Sequence, residues 1–204
     1  MSNDLGFVHR FIPGEDPTRP PLLLLHGTGA DENDLLPLGR ELAPGAALLS
    51  PRGKVLEQGM PRFFRRVGEG VFDIDDLNAR TKELADFVTK ARAAYKLAKP
   101  IALGFSNGAN IAWSLLLSDP DALAGALLIR AMLPFTPGAV PRLDGKPVLL
   151  LSGSADPIVS ADQRDRLAKL LKDAGADLQY EVVPASHRLT QQDLQIAAEW
   201  FGRY

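Results

Sequence analysis

Short apolar runs alternate along this chain with longer stretches in which apolar side chains recur every three or four residues. The runs predict strands at residues 7–12, 22–25, 46–50, 101–105, 125–129, 148–152 and 179–183. Four of them are continuous in Leu, Ile, Val and Ala rather than alternating, the pattern of strands buried on both faces beneath helices. A long amphipathic helix is predicted over 76–96, its stripe made by Leu77, Leu84, Phe87 and Val88 and extended by Ala91 and Tyr95. Further helices are predicted at 109–117, at 161–174 with Gly175 as a C-cap, and at 190–201 with Leu194, Ile196, Ala197 and Trp200 for packing. Alternation of this kind predicts an α/β fold: a mostly parallel central sheet with helices on both faces. Residues 51–75 lack a period and predict a loop or short hairpin. No insertion is long enough for a sizeable lid domain, and no repeat or linker divides residues 1–204, so one domain is expected.

Composition narrows the function classes. A chain of 204 residues, 46% hydrophobic, buries roughly 70% of its unfolded surface, enough for a self-sufficient core. The net charge of -2 without a basic block argues against nucleic acid as a partner. Cysteine is absent, which excludes disulfides, thiolate metal sites and a cysteine nucleophile, and permits a reducing compartment. Met1-Ser2-Asn3-Asp4 has no basic or apolar targeting character, and no apolar run could insert into a membrane. A cytoplasmic protein is expected.

The most informative chemistry is Gly104-Phe105-Ser106-Asn107-Gly108, set between a predicted strand and a predicted helix. Strand, G-x-S-x-G and helix together make a nucleophile elbow: small residues let strand and helix pass closely while the serine hydroxyl projects from a sharp turn. A glycine-rich turn with an incidental serine is the plain alternative. A serine nucleophile needs a base, an orienting acid and an oxyanion hole. Of three histidines, His9 lies in an N-terminal strand without a plausible partner, and His26 follows a buried strand within a glycine-bearing loop, where it suits a loop-organising role. His187 follows the last predicted strand and is the candidate base. Asp156, in Ser152-Gly153-Ser154-Ala155-Asp156-Pro157 straight after a strand, is the candidate acid; its plain role is an Asp-Pro turn. Oxyanion donors are expected from the backbone N–H of Asn107 and from the loop His26-Gly27-Thr28-Gly29, with Thr28 the choice within it. No Lys-Ser/Thr follows those glycines, so a phosphate-binding loop is poorly supported.

These motifs, with Ala30-Asp31-Glu32-Asn33-Asp34-Leu35, Ser50-Pro51-Arg52-Gly53 and Ser186-His187, resemble the phospholipase/carboxylesterase family of α/β-hydrolases. Within it the chain looks most like small bacterial carboxylesterases related to the hydroquinone-associated hydrolases. The resemblance spans nearly the whole chain. It implies an esterase or thioesterase with Ser106, Asp156 and His187 as triad, Thr28 and Asn107 amides as oxyanion donors, no cofactor or metal, and often a homodimer. Three positions depart from the family pattern. Asn107 stands where glutamine is common, which leaves a backbone donor intact. Ser186 stands where glycine is usual. Thr28 replaces an apolar residue of the acyl-protein thioesterase branch, which argues against long acyl chains.

Phe63 and Phe64 in the aperiodic segment, and Arg130 and Met132 at the carboxyl end of a strand, are candidate walls of the substrate pocket. Packing under a loop is the alternative for all four, and a salt bridge is the more natural use of Arg130. The expected activity is cleavage of a small-molecule carboxylic ester with a small or medium acyl group. A thioesterase or lysophospholipase using the same residues, and a pseudoenzyme binding a small ligand, are the rivals.

Overall fold

The computed structural model describes residues 5–68, 70–133 and 141–204. In chain order the elements begin with β1 (His9–Ile12), β2 (Leu22–Leu25), α1 (Leu36–Leu42) and β3 (Leu48–Pro51). Four short strands follow: β4 (Val55–Glu57), β5 (Met60–Arg62), β6 (Arg66–Gly68) and β7 (Val71–Phe72). The rest of the chain carries α2 (Ile74–Tyr95), β8 (Ile101–Phe105), α3 (Asn107–Ser118), β9 (Gly125–Ile129), β10 (Pro147–Gly153), α4 (Ala161–Asp173), β11 (Asp177–Val183) and α5 (Gln191–Phe201). Seven strands form one sheet in the order β1-β3-β2-β8-β9-β10-β11. All pairings within it are parallel except β1 with β3, where β1 runs antiparallel along one edge.

The leucine-rich strands divide their side chains between two cores by strict alternation. Leu23 and Leu25 of β2, Ala102 of β8, Leu128 of β9 and Leu150 of β10 face a core shared with α2, α3 and α4. Leu22, Leu24, Leu103, Leu127 and Leu151 face the opposite core, closed by α1 and α5. Burial on both sides is why these strands read as unbroken apolar runs. Each enclosed leucine contributes about 1.5–3 kcal/mol, so a polar residue at any of these positions would cost a sizeable part of the domain's stability.

Two features lie beyond the sequence reading. α1 is only seven residues long, starts with a proline in its first turn and is too short to display a period; it forms because Leu36 and Leu42 pack into the same core as Trp200. The aperiodic segment folds into two antiparallel hairpins, β4–β5 and β6–β7, rather than a loop or a single hairpin. No sizeable lid is present, and no helix is long and apolar enough to cross a membrane, among the described residues.

Candidate active site

Ser106 joins β8 to α3 with φ 53° and ψ −114°, a backbone conformation that side chains other than glycine rarely adopt. The flanking glycines make this turn possible. A Cβ on Gly104 would sit 2.6 Å from the Ala109 Cα, and one on Gly108 would collide with the Leu25 carbonyl. Strand and helix therefore touch at backbone distance. The Ser106 N–H donates to the Ile129 carbonyl at 2.9 Å and its own carbonyl accepts from the Asn110 N–H at 3.0 Å, which fixes the residue from both sides.

The serine hydroxyl lies 2.8 Å from Nε2 of His187, and Nδ1 of the same ring lies 2.8 Å from Oδ2 of Asp156. An ionised carboxylate can only accept, so the proton sits on Nδ1 and the unprotonated Nε2 faces the serine. The Asp156 side chain is buried, and its other oxygen accepts from the N–H groups of Ile158 (2.8 Å) and Val159 (3.1 Å). Those bonds hold the carboxylate still. The Asp156 turn and the His187 loop are also joined directly: Ser154 N–H donates to Val183, and Ala155 N–H to the Ala185 carbonyl at 3.0 Å.

Arg130 corrects one expectation. It does not line the cleft; its side chain is fully enclosed and paired with Asp193 through Nη1–Oδ1 (2.9 Å) and Nη2–Oδ2 (2.7 Å). Its Nε donates to the Ser186 carbonyl and its Nη2 to the Arg188 carbonyl, both at 3.0 Å. Asp193 in turn accepts from the N–H and hydroxyl of Thr190, the N-cap of α5. The loop that carries His187 is thus bracketed on both flanks by one buried guanidinium.

Phe63 and Phe64 also depart from expectation. Both are buried among the sheet and α2 side chains and neither reaches the cleft. Apolar rings next to a buried backbone gain more from the core than from a half-wet wall, and the Phe63 N–H is held inward by Oδ1 of Asn107 at 2.7 Å. Met132 does line the cleft. So do Arg62, Arg66, Phe72, Phe105 and Ile158, which sequence reasoning missed. The charge-dense run Arg62 to Arg66, so close to two phenylalanines, was the available signal.

Thr28 and Asn107 line the same cleft as Ser106 and His187. Asn107 is the first residue of α3, where helical N–H groups have no helical acceptor. The Thr28 loop is tied down by Gly29 N–H to Pro61 (3.0 Å) and by Arg62 Nη1 to the Thr28 hydroxyl (2.7 Å). His26 organises this loop rather than joining the relay: its buried ring bonds the Gly27 carbonyl through Nδ1 (2.7 Å) and accepts from Gly53 N–H at Nε2 (3.0 Å). Burial pushes its pKa down, against the Gly27 bond and the nearby Asp34, Asp31 and Glu32. His9 bonds the Phe7 carbonyl and the Tyr95 hydroxyl, remote from the serine. The cleft encloses about 240 Å³. Among the described residues no three histidine or carboxylate side chains are grouped to hold a metal.

A family model described as Phospholipase/Carboxylesterase matches residues 8–202. The hydrolase MhqD of Bacillus subtilis (strain 168) is 46% identical over 182 residues, which cover 88% of this chain and 91% of that protein. A Bacillus cereus carboxylesterase of known structure is 44% identical with a TM-score of 0.96, over 98% of this chain and 95% of that one. A structure of YahD with malic acid is 31% identical with a TM-score of 0.92, over 97% and 98% of the two chains.

Proposed function

We propose, from the premise that the chain belongs to the phospholipase/carboxylesterase family and is a hydrolase, that it cleaves carboxylic esters of small or medium acyl groups through Ser106, His187 and Asp156. The observation that carries this reading is the pair of 2.8 Å contacts linking hydroxyl, imidazole and carboxylate. Ser106 Oγ attacks the ester carbonyl carbon and passes its proton to His187 Nε2. The oxyanion is held by the backbone amides of Thr28 and Asn107. The C–O bond to the alcohol then breaks, and the alkoxide takes the proton from Nε2 and leaves.

Water completes the cycle. It gives a proton to Nε2 and its oxygen to the acyl carbon; the Ser106–acyl bond breaks and the serine oxygen recovers the proton, releasing the acid. Asp156 holds the ring in the required tautomer and stabilises the imidazolium without taking its proton. An oxyanion donor of this type is worth about 10²–10³ in rate.

The cleft volume of about 240 Å³ falls below the range of roughly 300–1,000 Å³ usual for drug-sized ligands, which favours short acyl chains. A related structure obtained with malic acid, a small polar molecule, supports the same size class. The test is labelling with a fluorophosphonate and turnover of p-nitrophenyl esters. The label is expected on Ser106, with acetyl and butyryl esters preferred over decanoyl. Ser106→Ala retaining wild-type turnover, or a label on another residue, would overturn the nucleophile assignment.

A further inference from the structure

We propose that the cleft selects esters bearing a second, ionised carboxylate, recognised by Arg62 and Arg66. This rests on the esterase reading above and names the substrate class for the same site.

Arg62 and Arg66 both line the cleft, and no carboxylate does so among the described residues. Among the described residues, the one acid paired with them is Glu57 of β4. Its Oε2 lies 3.3 Å from Arg62 Nε, and its Oε1 lies 2.7 Å from both Nε and Nη2 of Arg66. Among the described residues, two guanidinium charges face one carboxylate, an excess of positive charge beside the nucleophile. The Asp156 carboxylate does not cancel it, since it sits behind His187, where it balances the imidazolium formed in each half-reaction.

Arg62 ties down the Thr28 loop, and that use needs no second arginine beside it. Glu57 and Arg66 suffice to stitch the two hairpins together, and Arg66 keeps a side chain 36% exposed. Arg62 is the costly member. Its side chain is 4% exposed, and a buried cation is stabilised only by charges and acceptors close to it. It spends Nε on the Phe64 carbonyl and Glu57, and Nη1 on the neutral Thr28 hydroxyl. Burial and the neighbouring Arg66 both press its pKa down, and Glu57 alone among charged groups opposes them. Nη2 of Arg62 and Nη1 of Arg66 have no acceptor among the described residues. A carboxylate entering the cleft would supply a second negative charge and accept from both. Its bonds to guanidinium are charge-assisted and strong.

Two ester pairs test this and separate an acid on the acyl side from one on the alcohol side: monomethyl adipate against methyl hexanoate, and 4-acetoxybenzoate against phenyl acetate. Each kcat/KM is divided by the hydroxide-catalysed rate of the same ester. At least one anionic ester is expected to exceed its neutral partner about ten- to hundredfold, with the preference shrinking as salt rises. Arg66→Gln should bring that ratio close to one and Arg66→Glu below it. Neutral esters turned over at least as well as both anionic partners, or a ratio unchanged in Arg66→Gln, would overturn the proposal while leaving the esterase reading standing. Absence of Ser106-dependent turnover on all four esters would instead bring down the esterase reading itself.

Discussion

The Arg130 guanidinium and the Asp193 carboxylate meet through two parallel hydrogen bonds, and neither side chain is exposed. Such a pair is a poor source of stability, because desolvation of both charges offsets their attraction. What it secures is position. Arg130 also donates to the carbonyls of Ser186 and Arg188, so the residues either side of His187 hang from a group that the sheet and α5 hold fixed.

Removing one partner leaves the other buried and uncompensated. Asp193→Ala is expected to destabilise the fold by about 3–5 kcal/mol, measured by urea unfolding. Arg130→Lys keeps the charge but loses the planar fork that reaches two carbonyls and a carboxylate together. It should lower kcat by up to about a hundredfold, with a smaller change in KM. Wild-type kcat in the Arg130→Lys variant would show that the His187 loop needs no such bracket.

His26 predicts a pH-dependent stability. Its folded pKa is depressed, first by burial, while an unfolded imidazole titrates near about 6.5. As pH falls below that value the unfolded chain takes up the proton before the folded one does. The stabilisation is therefore complete above about 6.5 and is lost as pH falls toward the folded pKa, with a slope of at most about 1.4 kcal/mol per pH unit. Protonating Nε2 would also break its bond from Gly53 N–H. Unfolding free energies measured from pH 7.5 to 5.5 should fall less steeply for His26→Gln than for the wild type. Equal slopes would exclude His26 as the source.

The Asn107 side chain holds a neighbouring segment in place. Its Oδ1 accepts from the buried Phe63 N–H, and truncation would leave that donor without a partner. Asn107→Ala should cost about 1–3 kcal/mol, with faster hydrogen exchange at the Phe63 amide than elsewhere in the segment. Unchanged exchange at Phe63 would mean that water replaces the lost acceptor.

The sequence made the sheet legible because the leucines, isoleucines, valines and alanines of β2, β8, β9 and β10 are buried on one face or the other, which leaves an unmistakable apolar run. The serine elbow was legible for a steric reason: only glycine fits beside Ser106 at this strand–helix separation. Asp156 and His187 could be named from chain order and their places after strands, and the structure brings both to the serine. The cleft wall was not legible. Arg62 faces the cleft while Phe63 and Phe64 turn into the core, a division set by the two hairpins and carrying no period. Arg130 was ambiguous for a similar reason, since its partner Asp193 lies 63 residues away and no local pattern links them.

The elbow itself gives opposite outcomes for two exchanges two residues apart. Ser106 holds φ 53° and ψ −114°, strain of roughly 1–3 kcal/mol that any non-glycine residue would bear. Ser106→Gly removes it, less about 0.5–1 kcal/mol of chain entropy, so this variant should unfold at higher denaturant than Ser106→Ala, and both should lose turnover if the proposed nucleophile is right. Gly108→Ala runs the other way. Its Cβ would collide with the Leu25 carbonyl and lie 2.6 Å from that of His26; both are backbone, so no rotamer change can relieve the contact. α3 must move off β2, at a cost of about 1–3 kcal/mol or more, and the serine moves with it. Urea midpoints for the three variants decide the matter, and a Gly108→Ala protein as stable as the wild type would mean that strand and helix have room the elbow does not need.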